Sequence, residues 1–550
     1  MSEKKLLLSV VELIFFMQFL TPFSIYCTDK KNNRQLPNAL VPKVMVVVII
    51  DGCSYETSTF VQKYYINGLR YITGNATIFT QAYYAHGLPT TAPGHTTFIT
   101  GVHPKTHGIV GNNWPVNDKK QVAYSCKQAQ DSLCMVDTLT DQMQLGNNQA
   151  GKVFVYSCST KKRAARALAG ELGTAIWFDE KTGLFTSTQK HNFIEVFNKK
   201  KNHIKTARSF AWHSQYSLKA AQYRLPDVGI YTHASAPSMI NKKYAIDRGA
   251  KKPYETFVKT PLADALVVEM AVACIQDFYQ SAAPTDRLAL FISLSAHDKL
   301  AHLFGQYKYE PLDSMYSADK SLQKVVNQLH AKFRKQDIVW VFSADHGGPA
   351  IIDDLNDRGL TLAKRYDTKT IIAALNNALS TAIGIDGIVC NVNTPFVYFS
   401  HKIFNSLAPE KQKEVFAVVK KSLLENGSIL NAWPISEISS GVYDKGDVRS
   451  LLANQIFEGR CGDMVFLVRP YTLITDHLKG TSHETPYEQD THVPLMIYWP
   501  GNIEKKIITD RCEMVQVAPT LAQLFGVPRP SASLATLLRG INEKEVLSKK

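Results

Sequence analysis

Seven apolar residues in a row, Val44-Met45-Val46-Val47-Val48-Ile49-Ile50, stop abruptly at Asp51-Gly52. All but Met45 are β-branched, which favours extended chain. A strand with no polar alternation has no face to offer water, so it belongs in the middle of a parallel sheet covered on both sides. The same pattern recurs along the chain. Val153-Phe154-Val155-Tyr156 precedes Lys161 and Arg163, Leu288 to Leu294 precedes Asp298, and Ile338 to Phe342 precedes Asp345-His346. In open α/β sheets chemistry gathers outside the carboxyl ends of the strands, so these polar residues predict one site at one sheet edge.

Helical segments separate the strands. Leu322, Val325, Val326 and Leu329 follow i, i+3, i+4, i+7 spacing and predict a crossover helix into the Ile338 strand. Leu262 to Tyr279 predicts a longer one before the Leu288 strand, and Val515 to Phe525 a late one stopped by Gly526 and Pro528. This alternation predicts an α/β fold, a three-layer α/β/α sandwich with a central, mostly parallel sheet. One catalytic domain is expected over residues 43–550, with an insertion at about 348–471 that is polar and mixed, carries its own helix (Lys411 to Leu424) and holds little chemistry. No internal repeat or low-complexity block interrupts it.

Residues 1–27 read as a signal peptide or a retained N-terminal anchor: Lys4 and Lys5 precede an apolar run from Leu6 to Leu20 that is too short, and broken by Glu12, to be a good membrane span. Residues 28–42 are a polar link, and nothing later is apolar enough to cross a bilayer. The chain is therefore expected to be exported, periplasmic or secreted, with no membrane span in the mature chain unless the N-terminal segment is retained. Nine cysteines include Cys27; the other eight, an even number, permit disulfides, and Cys126 and Cys134 are close enough to pair. Lys and Arg number 62 against 48 Asp and Glu, a formal charge of +14 that favours anionic substrates or an anionic envelope surface. With no Lys/Arg stripe interleaved with aromatics, no nucleic-acid partner is expected.

Thr91-Ala92-Pro93-Gly94-His95 is where a short helix can begin, with Pro93 in its first turn and Gly101 to close it. Alone, Thr91 reads as an N-capping residue. A hydroxyl there also faces free N–H groups and the positive end of the helix dipole, a seat for phosphate. Asp298 and His302, spaced i, i+4, share a helix face and can grip one cation. Asp345-His346 sits at a strand end before Gly347-Gly348, His483 lies in a loop before the strand-like Val493 to Tyr498, and Asp51 completes the set. Carboxylates and imidazoles without thiolates suit zinc in an open catalytic site, with manganese as the alternative.

The order of these motifs resembles the single-chain, threonine-nucleophile alkaline phosphatases of the alkaline phosphatase and nucleotide pyrophosphatase superfamily. The resemblance runs from about Lys43 to Pro530. It rests on Asp51, Thr91 to His95, Thr100 to Pro104, His107 to Trp114, Asp298-x-x-x-His302, Ala344 to Gly348 and Gly480 to Leu495. It implies hydrolysis of small phosphate monoesters through a phosphothreonine on Thr91. Asn112 would bind phosphate, and two zinc ions would be held, one by Asp298, His302 and His483, the other by Asp51, Asp345, His346 and the Thr91 oxygen. Ser159-Thr160-Lys161-Lys162-Arg163 resembles the monoesterases' Ser-x-Lys-x-Arg, so Lys161 and Arg163 are expected on the phosphate and Lys162 away from it.

Lys299, Ala301 and Glu484 depart from the family pattern and put rate and pH optimum in doubt more than reaction type. Sulfatase chemistry is disfavoured, because Thr91 and His95 stand where a modifiable Cys or Ser and an Arg would be needed. Two other functions stay open: a phosphodiesterase or nucleotide pyrophosphatase of the same superfamily, and a catalytically inactive envelope binding protein. The oligomeric state is not legible.

Overall fold

The Val44 run takes the central place its composition requires. In the computed structural model, which describes residues 41–116, 119–122, 133–146, 151–200, 208–223, 237–477 and 479–541, Val44–Ile50 is a strand buried at all seven positions. The expected leader, most of the link after it, and Cys126 lie outside these residues. Two parallel neighbours flank the strand, Arg287–Leu294 and Ile338–Ser343, both buried throughout.

Register turns this sheet into a site. Ile49 pairs with Ser293 on one side and Ser343 on the other, so Asp51, Asp298 and Asp345 all follow from one sheet edge. Ser293 also pairs with Ser159 of Val153–Ser159, which delivers Lys161 to that edge. His492–Tyr498 runs antiparallel beside Ile338–Ser343, so its first residue, and the His483 loop before it, meet the same edge. Beyond it Thr77–Tyr83 runs back the other way, and its end leads into the Thr91 segment.

The full sheet has ten strands, in the order Ile507–Ile508, Thr77–Tyr83, His492–Tyr498, Ile338–Ser343, Val44–Ile50, Arg287–Leu294, Val153–Ser159, Thr174–Asp179, Leu184–Ser187, with Cys512–Glu513 also on Thr77–Tyr83. It is mixed but mostly parallel, as expected. Helices Pro261–Ser281 and Tyr309–His330 pack on each other; Thr91–Thr100 packs with Lys162–Ala169 and Val517–Leu524. The Leu322, Val325, Val326, Leu329 stripe is buried, which is what its spacing predicted. Cys158 and Cys274 bring their sulfurs to 3.7 Å across strand and helix, as thiols.

Between the Ile338 and His492 strands the chain builds a second, antiparallel sheet: Val389–Asn393, Phe396–Phe399, Met464–Val468, Ile429–Pro434. Helices Thr368–Ile383 and Pro409–Glu425 cover it through a separate apolar core that includes Leu375, Leu379, Val415 and Val419.

Two glycines let the edge close up. Gly52 has φ +74°, the left-handed region, and a Cβ there would lie 2.9 Å from the Asp298 Cβ. Gly94 lies under the Ile338 strand end, where a Cβ would come within 2.0 Å of the Asp345 carbonyl oxygen. Gly94→Ala should therefore cost about 1–3 kcal/mol or more by forcing helix and strand apart, read from urea unfolding. Gly249→Ala, whose new Cβ meets nothing nearer than 3.4 Å, should stay within about 0.5 kcal/mol.

Candidate active site

Thr91 opens the helix Thr91–Thr100, and Gly101 closes it in the left-handed conformation (φ 68°). The capping position belongs to Thr90, not Thr91, and the Thr90 side chain makes no capping bond. Asn112 supplies one instead. Its Oδ1 accepts the Ala92 N–H at 2.9 Å, which sets Asn112 beside Thr91. Within the helix, His95 reaches back through Nδ1 to the Thr91 carbonyl at 2.8 Å, lies 3.1 Å from Asp345 Oδ2, and meets Ser293 Oγ through Nε2 at 3.0 Å.

Three carboxylates, Asp51, Asp298 and Asp345, are almost wholly buried at this edge. Into their midst runs Lys161. Its Nζ donates to Asp51 Oδ1 at 2.9 Å, to Asp298 Oδ2 at 2.5 Å and to Thr91 Oγ1 at 3.2 Å. Burial and the neighbouring Asp345 push the Asp51 carboxyl up. Burial acts the same way on Asp298, but Lys161, His302 and His483 outweigh it and hold that group well below the usual carboxylate range. Asp345 is likewise held low, against its burial, by His346 and His95. Burial lowers the Lys161 ammonium, yet Asp298 and Asp51 outweigh this and keep it above its ordinary value.

The imidazoles are aimed by backbone carbonyls. His302 Nδ1–H donates to Thr481 O at 2.8 Å, His346 Nδ1–H to Gly347 O at 2.8 Å and His483 Nδ1–H to Pro89 O at 3.0 Å. A carbonyl can only accept, so each ring in its neutral form keeps its Nε2 lone pair for the site. His302 and His483 bring Nε2 to 3.4 and 3.5 Å from Asp298 Oδ1, and His346 Nε2 lies 3.6 Å from Asp51 Oδ1 and 3.4 Å from Asp345 Oδ2. The rings of His346 and His483 stack with centroids 3.5 Å apart, so the two groups of donors form one site.

These donors fit a divalent cation. Asp345 Oδ2 and His346 Nε2 are buried with no hydrogen-bond partner, and Asp51 Oδ2, although 2.9 Å from Lys161 Nζ, is not hydrogen-bonded to it. One ammonium against three carboxylates leaves excess negative charge in a poorly solvated place. Among the described residues, Asp298, His302 and His483 can close on one ion, and Asp51, Asp298 and His346 on a second. Asp345 stands at this second group, its Oδ1 accepting the Gly52 N–H at 3.0 Å. His302, more than a third exposed, stands at the solvent side.

Lys162 lies over Trp177, its Nζ 5.2 Å from the ring centroid. Arg163, half-buried, starts the same helix as Lys162, and its Nε is buried without a hydrogen-bond partner. Lys299 donates weakly to Thr160 Oγ1 at 3.4 Å; burial and Lys161 bring its ammonium down to about 8. Burial and Asp490 push the Glu484 carboxyl up to about 8. Three supporting residues carried no role in the sequence reading. His95 was discoverable from its i+4 spacing to Thr91. Ser293, which meets it, and Asp490, which accepts from Thr485 N and Oγ1 and from Glu484 N and so braces the His483 loop, gave no signal beyond their place in the motifs.

With this geometry in hand, the comparisons with known proteins decide the family. A family model described as "Type I phosphodiesterase / nucleotide pyrophosphatase" matches residues 45–494, most of the chain. The chain belongs to this family. It thereby sits in the alkaline phosphatase superfamily that its motifs resembled. A sulfatase model matches only residues 472–527, a segment that excludes Thr91. Alkaline phosphatase PafA of Elizabethkingia meningoseptica is 25% identical over 522 residues, covering 90% of this chain and 93% of the relative. Alkaline phosphatase PhoV of Synechococcus elongatus is 24% identical over 530 residues, covering 90% and 92%. The crystal structure of wild-type PafA shares the fold, with a TM-score of 0.78 at 23% identity over 91% of this chain and 99% of that one.

The Lys161 ammonium is the main counter-charge for two buried carboxylates. Lys161→Met should therefore destabilise chelator-treated protein by about 3–5 kcal/mol in urea unfolding, because it strands buried charge. Added divalent cation should restore part of that loss, since it supplies the same carboxylates with another positive partner.

Proposed function

We propose that this chain hydrolyses phosphate monoesters outside the cytoplasm, with Thr91 as nucleophile and two zinc ions as cofactors. The observation that carries the reading is the setting of Thr91: it opens a helix, its Oγ1 accepts from Lys161 Nζ at 3.2 Å, and that same ammonium reaches Asp51 and Asp298 among the carboxylates and imidazoles gathered at one sheet edge. The curated relatives that carry the name alkaline phosphatase support it. Asp298, His302 and His483 would hold one zinc, and Asp51, Asp345 and His346, with the Thr91 oxygen, the other; Asp298 lies near enough to both groups to set their spacing. When bound, zinc supplies positive charge that favours ionisation of the Thr91 hydroxyl and offsets charge on the leaving oxygen.

The chain's own residues do the rest. Thr91 Oγ forms a bond to phosphorus as the bond to the ester oxygen breaks, and the alcohol departs with a proton. Water then cleaves the phosphothreonine, releasing inorganic phosphate and restoring the hydroxyl. Through both steps Lys161, Arg163 and Asn112 hold the non-bridging oxygens. A monoester dianion needs these cations, whereas a diester carries one charge less and a second group to accommodate. The family model's description makes diester or pyrophosphate cleavage the second reading.

Thr91→Ala should lower turnover of 4-nitrophenyl phosphate by about 10³-fold or more, and purified wild-type protein should hold about two zinc ions by elemental analysis. Wild-type-like turnover in that variant removes the mechanism. Lys161→Ala and Arg163→Ala should each reduce kcat/KM on the monoester by about 10²–10³-fold while sparing bis(4-nitrophenyl) phosphate. A wild-type preference for the diester would replace the monoesterase reading by the second one.

A further inference from the structure

A cleft of about 530 Å³ opens between the Val389–Asn393 strand of the second sheet, the segment from Ile474 to His477, and the residues that follow Asn112 and His483. Its near wall contains Asn113 and Glu484, which directly follow Asn112 and His483. Asn112 accepts the N–H of the amide next to Thr91, so the near wall of this cleft stands one residue along the chain from groups proposed to hold the ester. The far wall comes from the Val389–Asn393 strand and the turn after it, where Asn391, Asn393 and Thr394 line the space. Thr394 is 6% exposed, and its Oγ1 is buried with no hydrogen-bond partner.

We propose that this cleft receives the alcohol part of the substrate, and that the alcohol it suits is hydroxyl-rich and uncharged, of the sugar or polyol class. The inference rests on the monoesterase reading and adds a substrate class to it. Primary amides and hydroxyls offer both donors and acceptors, which is what vicinal hydroxyls require. Among the described residues no Lys or Arg lines the cleft, while Asp476 does, so a second phosphate finds no ammonium or guanidinium to pair with. Among the described residues no Phe, Tyr or Trp lines it either, so a nucleobase has only the His477 imidazole to stack on. The volume lies within the range usual for small-molecule sites. The second sheet, which the sequence assigned little chemistry, thereby supplies specificity.

The test compares three esters on the full-length protein: glucose 6-phosphate, AMP and 4-nitrophenyl phosphate. Wild-type kcat/KM should be at least about tenfold higher for the sugar phosphate than for AMP, a difference of about 1.4 kcal/mol. The double variant Asn391→Ala, Asn393→Ala should lose about tenfold on glucose 6-phosphate, mainly through KM, and stay within about twofold on 4-nitrophenyl phosphate. Thr394→Val, which keeps the side chain's shape, should act in the same direction and guards against a poorly folded double variant. AMP equal to or better than the sugar phosphate in wild type overturns the proposal, as does a parallel loss on both monoesters in the variants. Absence of activity on all three esters would instead overturn the underlying monoesterase reading.

Discussion

Three buried carboxylates held around one ammonium are the constraint on which the rest of this structure depends. Moving such groups out of water costs several kcal/mol per ion, and removing either sign leaves the other stranded. Asp51, Asp298 and Asp345 arrive together because three adjacent parallel strands end in register. Lys161 arrives because a fourth strand pairs beside them. The sheet therefore does more than scaffold the site. Its pairing decides that these charges meet, and glycines at positions 52 and 94 remove the side chains that would hold them apart.

The charges do not balance within the chain's own residues, and the imidazoles show how the imbalance is used. His302, His346 and His483 each give one ring N–H to a main-chain carbonyl, which fixes the ring and leaves the lone pair of its other nitrogen facing the site. Those carbonyls belong to Thr481, Gly347 and Pro89, in loops leaving the same edge. Asp490 braces the loop that carries His483, and His95 ties the Thr91–Thr100 helix to Asp345. Thr91, the two groups of carboxylates and imidazoles, and Asn112 thus share one set of supports, so a change in one should propagate to the others.

Much of this was legible in the sequence because the relevant signals are local. An uninterrupted apolar run means a strand buried on both faces; Asp51 stands immediately after one such run, and Asp345 and His346 follow another after Ser343 and Ala344. The i, i+4 pair Asp298 and His302 declares a shared helix face. What was not legible depends on distance in space. Nothing in Lys161-Lys162-Arg163 announces that Lys161 inserts between two carboxylates, because those partners lie 110 and 137 residues away. The cap assigned to Thr91 passes to Thr90 and is completed by Asn112, a bond that only the folded turn creates. Likewise the amides and hydroxyls of the region at about 348–471, for which we propose a role, carry no motif.

The most direct test of the central claim is anomalous X-ray scattering at the zinc edge from crystals of the full chain. Two peaks should appear about 3.5–4 Å apart, one against Asp298, His302 and His483, the other against Asp51, Asp345 and His346 beside the Thr91 oxygen. A single peak, or zinc bound away from these residues, would contradict it.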